Sequence, residues 1–171
     1  QNISSWNTAA VTNMASLFFH AGSFNQNISS WNTAAVTTMQ TMFRGATAFN
    51  QDIENWNTAA VINMSEMFEG ATAFNGELSL WNTSSVTNMR SMFNGATAFN
   101  EDIGETEIRN GWNTAAVTDM SAMFIGATAF NQNISNWCVQ NNFNSEPSNF
   151  KTSANNTWAN DASKQPDWDG A

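Results

Sequence analysis

The 171-residue chain has one cysteine, two prolines and no tyrosine, and only 11% of its residues are charged. The single cysteine, Cys138, excludes an intramolecular disulfide framework. No stretch approaches about 18 apolar residues, which argues against membrane insertion. The chain carries 14 acidic and 5 basic residues, a balance that opposes binding to nucleic acid or anionic membranes.

Aromatic residues and methionine are abundant, with 13 Phe, 8 Trp and 9 Met, and they predict a packed interior. Because charges are few, the surface must be built mainly from Asn, Thr, Ser and Gln, which suits an extracellular protein. Residues 1–5 contain neither the charged nor the apolar segment of a signal peptide.

A tandem repeat dominates the sequence. Tryptophans recur at spacings of 25, 25, 25, 31 and 25 residues. Each unit reads close to W-N-T-A-A-V-T-x-M-x-x-M-F-x-G-A-T-A-F-N-x-x-I-x-x. The tryptophans that define this period are Trp6, Trp31, Trp56, Trp81, Trp112 and Trp137. A fixed period of this length is the signature of a solenoid.

The period divides the chain into two parts. Residues 1–136 hold five repeats from Trp6 to Asn136, preceded by a partial repeat in 1–5, and the fourth repeat has an insertion at 104–109. After Trp137 the pattern breaks. Because irregular terminal units usually close a solenoid core, we interpret 137–171 as a C-terminal cap.

The third unit shows the structure that we expect of each repeat. Val61, Met64, Met67 and Phe68 lie at the spacing of one helix face. Gly70 follows, at a position typical of a left-handed helix end. The half-apolar segment 76–81 then predicts a short strand, so that stacked units form an α/β repeat of short parallel strands and short helices. An Asn recurs once per unit, and we expect these residues to form a buried ladder: Asn25, Asn50, Asn75, Asn100 and Asn131.

The motifs V-T-x-M-x-x-M-F, G-A-x-x-F-N-x-x-I and W-N-T resemble those of BspA-like leucine-rich-repeat surface proteins, in particular their mycoplasma-type lipoprotein branch. The match covers Trp6 to Asn136. The resemblance implies a right-handed leucine-rich-repeat-like solenoid in a bacterial secreted or cell-surface protein that functions in adhesion. It implies no shared catalytic residues.

The sequence offers little support for an enzyme. His20 is the only histidine, and it lies more than four units from Cys138, so no Cys-His pair is expected. No phosphate-binding loop, zinc-ligand spacing or EF-hand loop is present. We therefore predict no catalytic residues, no cofactor and no dedicated metal site, with weak calcium binding as the one exception considered.

Carboxylates concentrate in the middle units and the insertion. Stacking would bring several of them into one patch, which could bind a basic ligand or, weakly, calcium. The alternative is that they only solvate an exposed face. The predicted ligand-binding residues are Asp52, Glu54, Glu77, Glu101, Asp102, Glu105 and Glu107.

Threonines also align between units, and regular threonine columns on a flat solenoid can bind ice. The alternative ice-binding residues are Thr12, Thr37, Thr87 and Thr118, with Ile62 in register. A preceding threonine column, which includes Thr58, is better explained as helix N-caps.

A third hypothesis is a structural subunit that self-associates head to tail into fibres. The hypothesis that we prefer is a non-catalytic extracellular adhesion or ligand-binding domain, whose partner is a protein or glycan. It would bind through the strand face and the insertion at 104–111, because loops that interrupt a repeat often carry binding.

Overall fold

The computed structural model describes residues 2–104, 112–139 and 142–168, and these residues form five stacked coils followed by an irregular closing segment. Each coil is built from successive β-turns rather than from a helix and a strand. In the first coil, the Leu17 amide donates to the Met14 carbonyl at 3.4 Å and the Phe19 amide to Ser16 at 3.1 Å. The Ala21 amide donates to Phe18 at 3.0 Å, so three overlapping turns follow one another.

Adjacent coils are joined by backbone hydrogen bonds in which every second residue donates its amide to the next coil. The amides of Met39, Thr41, Phe43 and Gly45 donate to carbonyls of the next coil at 2.7–3.0 Å. The β-bridges that form between described coils are isolated and parallel, such as the bridge between Thr38 and Asn63. The coils are therefore held in register by a ladder, although none of the described residues belongs to an extended strand.

These findings correct the predicted fold class. The α/β repeat of short parallel strands and short helices, with a right-handed leucine-rich-repeat-like solenoid, is wrong. The described residues contain only the one-turn helix α1, Asn156–Ala159, and a 3₁₀ turn, Ala162–Lys164, and both lie in the closing segment. Turns at 65–70 replace most of the helix predicted over 61–68, and the predicted strand at 76–81 contains only a turn at 79–80.

The helix fails because the backbone repeatedly enters the left-handed region. Gly70 has a φ of 67°, as expected, but Glu66, four residues earlier, has a φ of 58°. A right-handed helix cannot continue through such a residue. The equivalent positions also adopt positive φ in every coil: Ser16, Thr41, Glu66, Ser91 and Ala122. This unfavourable conformation persists because each of these amides donates to the adjacent coil or closing segment.

Identical apolar residues stack in columns along the solenoid and form its core. Phe43, Phe68 and Phe93 lie parallel with ring centroids 5.7 Å apart. A second phenylalanine column packs against the first, since the Phe68 and Phe74 centroids are 4.0 Å apart. The inner tryptophans are also buried, and each donates its indole N–H to the carbonyl of an Ile or Leu just over one full turn of the chain earlier, as Trp81 does to Ile53 at 3.0 Å. The core is thus continuous through all coils.

Two polar columns reinforce this register. The threonines predicted as helix N-caps are buried, and their hydroxyls donate to the next coil instead, as Thr58 does to the Asn82 carbonyl at 3.0 Å. The asparagine ladder is present: the Oδ1 atom of Asn50 accepts from the Asn75 amide at 2.9 Å. It lies on the exposed or half-buried surface, however, and is not buried as predicted.

The segment after Trp137 closes one end of the stack. Its carbonyls accept the last coil's ladder amides, as Phe150 does from Phe124 at 2.8 Å. Trp158 is fully buried against Phe130, with centroids 4.8 Å apart. Cys138 is exposed. Within the described ranges, no helix has the length and apolar character needed to cross a lipid bilayer.

Candidate functional site

The acidic residues cluster because the repeat places one variable position of each coil beside the next. Asp52, Glu77 and Asp102 share the position just before the inward-facing Ile or Leu. The corresponding residues of the outer coils are the neutral Asn27 and Asn133. Stacked coils lie about 4.8 Å apart. The three middle coils therefore present consecutive carboxylates on one exposed face.

A shallow groove of about 390 Å³ runs along this face between the second and third coils. Gly76 forms part of its wall. The coils on either side have Gln51 and Glu101 at this position, so the groove lies where the third coil lacks a side chain. The lining residues are Asn50, Gln51, Asp52, Glu54, Asn75, Gly76 and Glu77. The groove combines amide donors with carboxylate acceptors.

Local hydrogen bonds orient the carboxylates of the groove. The Oδ1 atom of Asp52 accepts from the Glu54 amide at 3.0 Å, which fixes the turn that follows. The Ser79 hydroxyl lies 3.2 Å from Glu54 Oε1 and 3.4 Å from Glu77 Oε2, and it donates to these carboxylates from two successive coils. The groove is therefore partly ordered by the protein itself.

Glu101 borders the same cluster from the fourth coil. Its Oε1 atom accepts from the Asn75 side chain at 2.6 Å. Burial raises the pKa of Glu101, the negative charge of Glu77 raises it further, and the hydrogen bond from Asn75 opposes the change. The carboxylates thus repel one another, and a cationic ligand would relieve this repulsion.

The raised pKa gives a test of this electrostatic arrangement. A carboxyl group whose pKa is higher in the folded than in the unfolded state destabilises the fold when it is ionised, and this penalty disappears once the group is protonated in both states. We therefore expect Glu101→Gln to stabilise the protein modestly at pH 7. The gain should shrink as the pH falls through the raised pKa towards 4.5, the ordinary value. Thermal unfolding of both proteins across this range measures the effect, and a gain that grows on acidification would contradict it.

The structure brings together some of the predicted ligand-binding residues. Asp52, Glu54 and Glu77 line one groove, and Glu101 lies beside it. Asp102 is exposed one coil further along, where its Oδ1 atom accepts from the Gly104 amide at 3.0 Å. Glu105 and Glu107, like most of the insertion, lie outside the described residues. Among the described residues, no three His, Cys, Asp or Glu side chains are placed to hold a metal ion.

In the alternative threonine column, Thr12, Thr37 and Thr118 are exposed and Thr87 is half-buried. The hydroxyl groups of Thr37, Thr87 and Thr118 donate to carbonyls of the preceding coil at 3.1–3.4 Å. Thr12 begins this column, and Ile62 interrupts it with half of its surface exposed. Because these hydroxyl protons point to the backbone, the column presents mainly acceptor capacity to water.

His20 lies where later coils have glycine, and it adopts the same left-handed conformation, with a φ of 54°. Its ring covers Gly45, where a Cβ would come within 2.5 Å of Nδ1. The edge of the ring contacts Phe19, with centroids 4.2 Å apart. Packing against Gly45 and Phe19 accounts for the position of this side chain.

Sequence reasoning missed Gly76 and the amide residues that line the groove, namely Asn50, Gln51 and Asn75. Aligned units do contain the signal, because the position of Gly76 holds Gln or Glu in the other coils: Gln26, Gln51, Glu101 and Gln132. A glycine among long polar side chains marks a gap in the surface.

The ladder, the stacked columns and the closing segment define a tandem-repeat solenoid whose coils are made of turns. The chain matches the family model described as "Mycoplasma protein of unknown function, DUF285" over residues 1–106 and 51–161, and it belongs to this family. The predicted likeness to mycoplasma-type repeat proteins is thereby confirmed at the level of that family. No curated protein and no solved structure matches the chain.

Proposed function

We propose that the protein is a non-catalytic extracellular ligand-binding or adhesion domain, and that the acidic groove around Gly76 binds a cationic group of a protein or glycan. The observation that carries this proposal is the coincidence of a gap with clustered charge. Asp52, Glu54 and Glu77 converge where Gly76 removes a side chain. Glu101 and Asp102 continue the negative charge into the fourth coil, whereas the first and fifth coils have the neutral Asn27 and Asn133 at the position of Asp52.

The chemistry of the groove favours a basic peptide or an aminosugar. Carboxylates accept charge-assisted hydrogen bonds from ammonium and guanidinium groups, and the amides of Asn50 and Asn75 can orient neighbouring polar atoms. The uniform ladder supports the same proposal, because it holds the lining side chains on a rigid backbone without a lid. A surface protein related to the BspA-like repeats, secreted or anchored to a bacterial cell, would use such a face for adhesion.

Two variants test the roles of charge and shape separately. The triple variant Asp52→Asn, Glu54→Gln, Glu77→Gln removes charge and keeps the side chains nearly isosteric. Gly76→Gln introduces the residue that other coils carry, and the net charge stays the same. Because a Cβ at this position would lie 3.0 Å from the Phe74 ring and 3.2 Å from the Gln51 carbonyl oxygen, thermal unfolding of the variant must first show that its fold is retained. We expect both variants to weaken binding to immobilised glycans, matrix proteins and lysine-rich peptides by at least about tenfold. The wild-type affinity should also fall as salt is added.

A matched control changes three acids elsewhere, in the variant Asp119→Asn, Glu146→Gln, Asp161→Asn. It shifts the net charge by the same amount but leaves the groove intact, so it should retain wild-type binding. If this control lost binding as strongly as the groove triple, only general charge would be involved. If the wild type bound no member of the panel, the proposal would be contradicted. The carboxylates would then serve only to solvate an exposed face.

A further inference from the structure

Asn75 differs from the other asparagines of the ladder in the residue that follows it. It precedes Gly76, whereas the equivalent asparagines of the other coils precede Gln or Glu. Because glycine has no Cβ, its backbone nitrogen can approach the side-chain carbonyl carbon of the preceding asparagine with little steric hindrance. Asn75 is exposed, Gly76 is half-buried, and both line the groove, so water reaches the pair.

The backbone amide of Gly76 is not held by the ladder. No described residue accepts a hydrogen bond from it. A second Asn–Gly pair, Asn94–Gly95, provides the contrast within the same chain. There the Gly95 amide donates to the Ile125 carbonyl of the next coil at 2.7 Å, and the φ of Gly95 is 70°. An amide in the ladder must lose its hydrogen bond before its nitrogen can react.

Hydrogen bonds orient and polarise the side chain of Asn75. Its Oδ1 atom accepts from the Asn100 amide at 2.7 Å. This donor stabilises the negative charge that develops on Oδ1 when a nucleophile adds to Cγ. The Nδ2 atom of Asn75 donates to Glu101 Oε1 at 2.6 Å, so the nitrogen that would leave lies beside a carboxyl group. Burial raises the pKa of Glu101, which enlarges the fraction of this carboxyl group that can give a proton to the leaving nitrogen.

We propose that Asn75 is a site of spontaneous deamidation, a self-modification that converts a neutral residue of the groove into a carboxylate. The Gly76 nitrogen forms a bond to Cγ of Asn75, and the bond between Cγ and Nδ2 breaks. Ammonia leaves with the proton of the Gly76 amide, and a cyclic succinimide remains. Water then opens the ring at either of its carbonyls, which yields aspartate or isoaspartate. The reaction consumes only water.

Peptide mapping by mass spectrometry of the full chain, incubated at neutral pH, measures the conversion of each asparagine. We expect Asn75 to convert at least about tenfold faster than Asn94 in the folded protein. In denaturant the ladder is absent, so the two sites should convert at similar rates. The third Asn–Gly pair, Asn110–Gly111, lies outside the described residues and is quantified separately. Equal rates for Asn75 and Asn94 in the folded protein, or faster conversion of Asn75 in denaturant than in the folded protein, would overturn the proposal.

Gly76→Ala tests the role of the glycine. The added Cβ hinders the attack on Cγ, so we expect the conversion of Asn75 to slow by at least about tenfold. Because this Cβ would lie 3.0 Å from the Phe74 ring, the fold of the variant needs its own check. Asn94 supplies that check, since it should convert as slowly as in the wild type while the ladder is intact. Unchanged conversion of Asn75 in a folded variant would contradict attack by the Gly76 nitrogen.

The effect of the new carboxylate on binding rests on the proposed function. Asn75→Asp supplies the aspartate product directly, and it places a fourth carboxylate beside those of Asp52, Glu54 and Glu77. We expect this variant to bind a lysine-rich peptide at least about threefold more tightly than the unmodified wild type. If Asn75 deamidated as expected but Asn75→Asp bound no more tightly, the modification site would stand and the proposed binding role of the groove would fail.

Discussion

Phe68→Ala is expected to lower the free energy of unfolding by about 3–5 kcal/mol. Phe68 is fully buried and contacts both aromatic columns, with centroid distances of 5.7 Å to Phe43 and Phe93 and 4.0 Å to Phe74. The ladder fixes the spacing of the coils, so the structure cannot readily collapse around the cavity. Denaturant unfolding followed by tryptophan fluorescence measures the change.

Phe19→Ala provides the matched control, since the same aromatic ring is removed from a side chain that is 45% exposed. Its expected cost is below about 1 kcal/mol, although the contact with Arg44, 5.7 Å from the ring centroid, is lost. Similar costs for the two variants would show that the continuous aromatic core does not dominate stability.

Gly104→Ala is expected to destabilise the protein by about 2–3 kcal/mol, although it adds only one methyl group. Gly104 is buried, and a Cβ at this position would lie 2.0 Å from the carbonyl oxygen of Asn133 in the next coil. That oxygen belongs to the backbone, so relief requires a shift between coils rather than a change of rotamer. Thermal and denaturant unfolding of the variant measure the cost.

Gly22→Ala is the control for glycine replacement. A Cβ there would meet the Thr47 hydroxyl at 3.5 Å, an ordinary contact distance. The variant should be close to the wild type in stability, or slightly more stable because its unfolded chain is less flexible. If Gly104→Ala were also as stable as the wild type, the coils beside the insertion could not approach each other as closely as described.

The sequence was sufficient to predict which residues align between units. The 25-residue period places Phe43, Phe68 and Phe93 in register, and their rings do stack. It also predicts the asparagine column, whose side chains accept backbone amides of the next coil. The period alone leaves exposure undetermined, because burial depends on the path of the chain within each coil. Asn50 and Cys138 are both exposed for this reason.

The local conformation could not be predicted, because a series of β-turns and a helix can both bury apolar residues at the same sequence spacing. Met64, Met67 and Phe68 suit one helix face, yet they also point inward from overlapping turns. The residue that separates the two conformations is Glu66, whose φ is 58°. Nothing in a glutamate indicates left-handed backbone, and only its hydrogen bond to the Arg90 carbonyl in the next coil, at 2.8 Å, accounts for it.

The repeat period predicted only part of the candidate site. Asp52 and Glu77 occupy equivalent positions, and stacking alone brings them together. The groove depends instead on the absence of a side chain at Gly76, and a search for charged residues does not detect an absence. The proposed binding function therefore depends on the way in which the third unit departs from the repeat.

The hydrogen-bond partner of the Phe68 amide is the most direct test of the turn-built solenoid. Scalar coupling across hydrogen bonds, measured by nuclear magnetic resonance, identifies the carbonyl that accepts each amide. We predict coupling between the Phe68 nitrogen and the carbonyl carbon of Met92 in the next coil, where the donor–acceptor distance is 2.9 Å. Coupling to Met64 instead, four residues earlier, would show a helix and contradict the architecture on which the groove depends.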